Sequence, residues 1–151
     1  MQAARGASLT SDQTDQVRRR PFVLFALVAV AAYALDQGSK QWALRALQDG
    51  DINVFGDWFV LHLTFNPGAA FSTGTQFTIV FTFIAMAAVC VVLWLCRRLG
   101  SKTWALALGF LLAGVAGNLT DRLFRPPGPL RGHVVDFLML PNWPVFNVAD
   151  I

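Results

Sequence analysis

The sequence predicts an all-α polytopic membrane protein with a small extracytoplasmic β element. Three observations carry that expectation. Of 151 residues, 55% are hydrophobic and only 14% charged, with thirteen Phe, five Trp and a mean hydropathy of +0.50. Three apolar stretches, over about 22–44, 77–96 and 103–123, each have roughly the 20 residues a helix needs to cross a ~30 Å hydrocarbon core. The basic residues flank these stretches: Arg18, Arg19 and Arg20 precede the first, and Arg97, Arg98 and Lys102 separate the second from the third. Clusters placed this way belong on the cytoplasmic side. They account for the net charge of +3, and no basic groove-facing element suggests a nucleic-acid partner.

Residues 1–20 are small, polar and basic without apolar periodicity, which predicts a disordered cytoplasmic tail ahead of a membrane domain over 21–151. The first span has a rival reading. Arg19-Arg20, a short apolar run and Ala32-Tyr33-Ala34 resemble a cleavable signal peptide. Asp36 and Lys40 follow at i,i+4, one above the other on a helix face, and favour a retained helix. Within 55–65 the chain alternates: Phe59, Leu61, Leu63 and Phe65 point one way, Trp58, Val60, His62 and Thr64 the other. Period two predicts a strand on an apolar surface, part of an outer β segment over about 52–72. The Asn66-Pro67-Gly68 turn ends the alternation. After the third span, 124–150 reads as an outer loop that opens with Pro- and Gly-rich sequence. Cys90 and Cys96 fall on different faces of the second span, and His62 and His133 have no metal-ligand spacing to join; neither a disulfide, a metal nor a cofactor is expected.

Against this apolar background the polar residues of the last third stand out. Asn118, Asp121 and Arg122 lie near the outer end of the third span, and Asp136, Asn147 and Asp150 follow it. Ionisable groups at a membrane edge are expensive and point to a functional site. Asp136 and Asp150 each follow apolar residues and lack an adjacent basic partner. Two close carboxylates cannot both ionise cheaply, so one is held protonated and the pair titrates as a unit. The ionised member can take a proton from water while the protonated one polarises a carbonyl. The blander readings are a capping Asp at either position, an Asp121–Arg122 surface pair, an ordinary Asp36–Lys40 ion pair and a turn role for Asn66.

Five motifs in order, D-Q-x-S-K from Asp36, N-x-G-A-A-F-S from Asn66, G-N-x-x-D-R from Gly117, V-V-D-F from Val134 and F-N-x-A-D from Phe146, resemble the lipoprotein signal peptidase (signal peptidase II) family. The resemblance implies four helices in the bacterial inner membrane, a β-cradle over a site at its outer face, and an aspartic endopeptidase. Such an enzyme removes signal peptides from diacylglyceryl-modified prolipoproteins, cutting before the lipidated cysteine. By motif, Asp136 and Asp150 correspond to the catalytic pair. Asn66, Gly68, Asn118, Arg122 and Asn147 correspond to substrate contacts, and Asp36, Lys40 and Asp121 to supporting residues. Asp121 is expected to be held ionised by its neighbour Arg122. The implied partners are lipidated prolipoproteins, membrane lipids and globomycin-type inhibitors. Pro67 stands where the family often has Thr, Ala113 replaces the first glycine of a usual pair, and Pro126-Pro127-Gly128-Pro129 lengthens the loop before Asp136. The chain stops at Ile151, where the family continues into a fourth helix; the expectation is a truncated, inactive fragment whose Asp150 lacks its support. Two other functions compete: a non-enzymatic lipid-binding or channel-like subunit using Asp36, Lys40 and Arg122 as a polar pathway, and a secreted domain with a cleaved signal.

Overall fold

The computed structural model describes residues 11–68 and 77–151, with side chains from residue 20 onward. Helix α1 spans Ser11–Ala46, β1 Ile52–Asn53, β2 Val60–Asn66, α2 Thr78–Leu95, α3 Lys102–Phe124 and β3 Val134–Met139; short 3-10 turns cover Cys96–Arg98 and Val148–Asp150. Three helical segments, Arg20–Ala46, Thr78–Arg98 and Lys102–Phe124, are long and apolar enough to cross a membrane. The second and third match the predicted spans within two residues.

Helix α1 corrects the expectation of a disordered tail over 1–20. Residues 11–20 continue the helix, because extending an established helix is far easier than nucleating one. Residues 1–10, and the 69–72 part of the predicted β segment, lie outside the described residues. The loop expected over 124–150 also needs correction, since Val134–Met139 is a strand. Its first four residues are all buried, so it lacks the alternation that marks a half-exposed strand.

Helix α1 packs chiefly on α3, and the sequence shows why. Its buried positions Pro21, Phe25, Ala29, Asp36, Lys40 and Ala43, continued by Leu47 just past its end, form one stripe at spacings of three, four and seven. Facing it, α3 buries Ala105, Gly109, Ala113, Gly117 and Asp121, each four residues apart. Small residues at that spacing let two membrane helices approach backbone to backbone. A Cβ on Gly109 would lie 3.0 Å from the Phe25 carbonyl oxygen, and one on Gly117 would strike the Asp36 carboxylate. Two apolar clusters bracket the polar stretch of α1. Phe25, Val92, Cys96, Leu99, Ala105 and Leu108 form the inner one. Ala43, Leu47 and Phe137, with Leu61, Leu63 and Leu138 against them, form the outer one beneath the sheet. The outward residues of α2, among them Phe83, Ile84, Val91 and Trp94, are exposed, as a lipid-facing surface requires.

The sheet is antiparallel in the order β1-β2-β3. The predicted alternation in β2 holds only to its middle. Leu61 opposes Leu138, but Thr64 opposes Asp136 and Asn66 opposes Val134, so the register slips by one residue between Leu61 and Thr64. A bulge of this kind reverses which face the following side chains occupy. Phe65, predicted to share a face with Leu61 and Leu63, is instead 51% exposed. Asn66 moves to the face that carries Asp136.

Candidate active site

Asp136 lies on β3 and is 2% exposed, while Asp150, in the turn over Val148–Asp150, is exposed. Asn66 Nδ2 donates to Asp136 Oδ2 at 2.9 Å, and Asn147 Nδ2 donates to Asp136 Oδ1 at 2.6 Å. Burial pushes the Asp136 carboxyl up to about 6, with the Asp150 charge adding to the rise; the hydrogen bonds from Asn66 and Asn147 and the Lys40 charge oppose it. On the other acid, Asn118 Nδ2 donates to Asp150 Oδ1 at 3.0 Å. The Asn147 backbone N–H donates to Asp150 Oδ2 at 3.2 Å, and Asn147 Oδ1 accepts from the Ala149 N–H, closing a capping box. The two asparagines meet, Asn147 Nδ2 donating to Asn118 Oδ1 at 3.1 Å. Asp136 and Asp150 are thus tied together by an amide bridge of two asparagines, Asn147 and Asn118, and also through Asn147 alone, whose side chain donates to Asp136 and whose backbone N–H donates to Asp150. The capping box fixes Asp150 locally, a support that the sequence expectation assigned to a fourth helix.

A charged cluster lies beneath the bridge. Lys40 Nζ, fully buried, contacts Asp36 Oδ2 at 3.0 Å, Asp121 Oδ2 at 2.9 Å and Asn118 Oδ1 at 2.9 Å. Asp36 Oδ1 accepts from the Ala149 N–H at 3.1 Å, which anchors the turn bearing Asp150 to α1. Gly114 admits that turn: a Cβ there would sit 2.5 Å from the Ala149 carbonyl oxygen. Asp121 also binds Arg125 through Oδ1 and the Val135 N–H through Oδ2. The sequence expectation paired Asp121 with its neighbour Arg122, but the direct ion pairs of Asp121 are with Lys40 and Arg125. Arg122 reaches the other way, donating to the Pro67 carbonyl at 3.4 Å with its guanidinium 5.9 Å from the Phe81 ring centre. Successive residues on a helix point about 100° apart, so sequence neighbours rarely pair. The partner four residues on, Arg125, was available to a spacing argument and was missed. Gln37, which donates to Asp36 Oδ2 and to the Gly117 carbonyl at 3.0 and 3.1 Å, stood in the D-Q-x-S-K motif and was given no role.

The profile of the family described as Signal peptidase (SPase) II matches residues 28–151, a span that holds both acids, the bridge and the charged cluster. The chain belongs to the signal peptidase II family. It is 48% identical over 141 residues to a lipoprotein signal peptidase of Mycolicibacterium smegmatis, covering 93% of this chain and 60% of that protein. With the lipoprotein signal peptidase of Streptomyces griseus it shares 45% identity over 148 residues, 96% of this chain and 76% of the relative. With that of Streptomyces coelicolor the identity is 50% over 134 residues, 88% and 65% respectively. The chain thus spans less than two thirds of the length of two of these relatives. A bacterial membrane enzyme solved by the in meso method at 2.3 Å superposes with a TM-score of 0.71 at 23% identity, over 83% of this chain and 77% of the other. A second, at 1.9 Å, gives 0.69 at 24%, over 83% and 82%. These likenesses establish the shared fold, that of a multi-pass membrane protein.

In this member of the signal peptidase II family, ten sequence-predicted residues converge: Asp36, Lys40, Asn66, Gly68, Asn118, Asp121, Arg122, Asp136, Asn147 and Asp150. Asn147 is fully buried; its side-chain amide donates to Asp136 and Asn118, and its backbone N–H donates to Asp150. Asn66 likewise turns its N–H to Asp136 while its Oδ1 accepts from the Gly68 N–H at 2.8 Å. Gly68 has φ 134°, a left-handed conformation that favours glycine, and a Cβ there would lie 2.7 Å from Phe81.

Proposed function

We propose that the protein is an aspartic endopeptidase that removes the signal peptide from diacylglyceryl-modified bacterial prolipoproteins, cutting before the lipidated cysteine. The observation that carries this reading is the pair Asp136 and Asp150, joined through Asn147 and Asn118 yet unequal in exposure. The buried Asp136, whose carboxyl is raised to about 6 by that burial, is the member suited to hold a proton; Asp150, exposed at the surface of the site, is the one that water can reach. Asp150 takes a proton from the attacking water as its oxygen bonds to the scissile carbonyl carbon. Asp136 gives its proton to the carbonyl oxygen. The tetrahedral adduct then collapses: the C–N bond breaks, the leaving nitrogen takes the proton held on Asp150, and Asp136 recovers its own from the adduct hydroxyl.

The surroundings support a lipid-bearing substrate. A groove of about 430 Å³ bordered by Phe110, Leu111, Gly114 and Val115 reaches Asn118 and Asp150. Acyl chains on the substrate cysteine can enter such a surface, at ~0.8 kcal/mol for each buried CH₂. Asn66 and Asn147 orient Asp136, and Arg122 with Gly68 forms the neighbouring contact surface for the peptide. Asp36, Lys40 and Asp121 are fully buried and paired with one another. That is a supporting cluster rather than the lined path a channel-like subunit needs. In the bacterial inner membrane, the basic clusters set the amino terminus on the cytoplasmic side and the acids at the outer face.

The test is cleavage of a synthetic diacylglyceryl-cysteine precursor peptide by the full-length natural protein in lipid. Asp136→Asn and Asp150→Asn are each expected to lower turnover by at least about 10³-fold while the protein still inserts and folds, as loss of an acid–base member does. Near-normal turnover by Asp136→Asn would remove the dyad assignment.

A further inference from the structure

The Asn118 amide is oriented from beneath. Lys40 Nζ has three acceptors, Asp36 Oδ2, Asp121 Oδ2 and Asn118 Oδ1, at 3.0, 2.9 and 2.9 Å. An ammonium has three N–H groups and no lone pair, so every partner must present an oxygen. The two carboxylates have nothing else to present. Asn118 has a choice between oxygen and nitrogen, and Lys40 removes it. Asn147 makes the same demand at 3.1 Å, and its own amide is set by the Ala149 N–H at 2.8 Å. With Oδ1 engaged, Asn118 turns Nδ2 outward to Asp150 Oδ1 at 3.0 Å. A flipped Asn118 would set its NH₂ against the ammonium and the Asn147 NH₂, and its oxygen against the Asp150 carboxylate, three repulsive contacts in place of three attractive ones.

We propose that Lys40 is a positioning residue for the dyad: it locks the Asn118 amide so that an N–H faces Asp150 and fixes Asp150 as an acceptor in the geometry water must approach. This rests on the assignment of Asp136 and Asp150 as the catalytic pair. It goes beyond a supporting role for Lys40, because an ion pair that merely joins α1 to α3 would be indifferent to which end of the Asn118 amide faces the acid.

A double-mutant cycle on the full-length natural protein in lipid separates the two roles. Lys40→Met, Asn118→Ala and the double variant are compared for kcat and KM on a synthetic diacylglyceryl-cysteine precursor peptide, and for thermal midpoint. Lys40→Met is expected to lower kcat roughly tenfold beside an intact Asn118, with KM changed less than about twofold. In the Asn118→Ala background its further effect on kcat is expected to be under about twofold, while the thermal midpoint falls equally in both. Equal kcat losses in the two backgrounds, or no kcat loss at all, would overturn the proposal. Where Lys40→Met does not fold, the cycle is run with Asp36→Asn present in every member, which removes the carboxylate whose ion pair is with Lys40; the same outcomes decide. Asp136→Asn serves as the control. If it cleaves normally, the assignment of Asp136 and Asp150 as the catalytic pair fails; if it is inactive and the cycle is additive, only the role given to Lys40 fails.

Discussion

Asp136 and Asp150 carry the same side chain in opposite surroundings, and the difference has a measurable consequence. Asp136 is buried and its carboxyl is raised to about 6 from the ordinary 3.8. A raised carboxyl means the folded state binds a proton more tightly than the unfolded chain. The associated stability is therefore present in full below pH 3.8 and is lost as pH rises through about 6. A shift of that size corresponds to roughly 3 kcal/mol. The thermal midpoint of the native protein should accordingly fall between pH 4 and 7 relative to Asp136→Asn, which cannot ionise there. Parallel profiles for the two proteins would show that Asp136 does not hold a proton in this range. The variant is not expected to be more stable at every pH. An Asn at 136 would set its own N–H against a donor from Asn66 or Asn147, an unfavourable contact.

At the scale of elements, the α1–α3 contact and the β2 bulge bring the site together. The small-residue face of α3 lets Asp36 reach across to the turn that carries Asp150. Gly117→Ala should then destabilise the protein by about 1–3 kcal/mol through overpacking against the Asp36 carboxylate, and turnover should fall with it. Gly38 is the matched control, lying on α1 with nothing within 4 Å of an added Cβ; Gly38→Ala should be neutral or add up to ~1 kcal/mol from helix propensity. Thermal unfolding of both variants in the same lipid checks this. Similar midpoints for the two would mean the helices do not need that close approach. The bulge matters for a different reason. It reverses the face of Asn66 relative to Leu61, and without it the amide would point away from Asp136.

For the whole molecule, the basic clusters and the three spans make one arrangement in the membrane consistent. Arg97, Arg98 and Lys102 sit together between α2 and α3, where Arg98 also stacks 5.1 Å over Trp94, while β1, β2, β3 and both acids gather at the opposite end. The proposed topology puts the connection at Gly100 in the cytoplasm and the loop at Gly128 outside. An added Cβ meets nothing within 4 Å at either position, so single cysteines there, with Cys90 and Cys96 replaced, are tolerated probes. Gly128→Cys should label with a membrane-impermeant maleimide in intact cells, and Gly100→Cys only after permeabilisation. Labelling of Gly100→Cys from outside would reverse the orientation.

Hydropathy and charge in the sequence determined the three spans, because about 20 apolar residues between basic flanks have few other uses. Residue type and motif order were enough to single out Asp136, Asp150, Asn118 and Asn147 and to pair Asp36 with Lys40, since a helix places residues four apart on one face. Tertiary structure alone decided what those residues touch. The strand status of Val134–Met139, the reversal of Asn66 by a one-residue slip, the turn of Arg122 away from Asp121 and the amide bridge between the acids all depend on contacts between segments distant in sequence. Local periodicity has no access to such contacts. A helix face can be counted from spacing, but the partner it meets is set by how α1, α3 and the sheet close around one another.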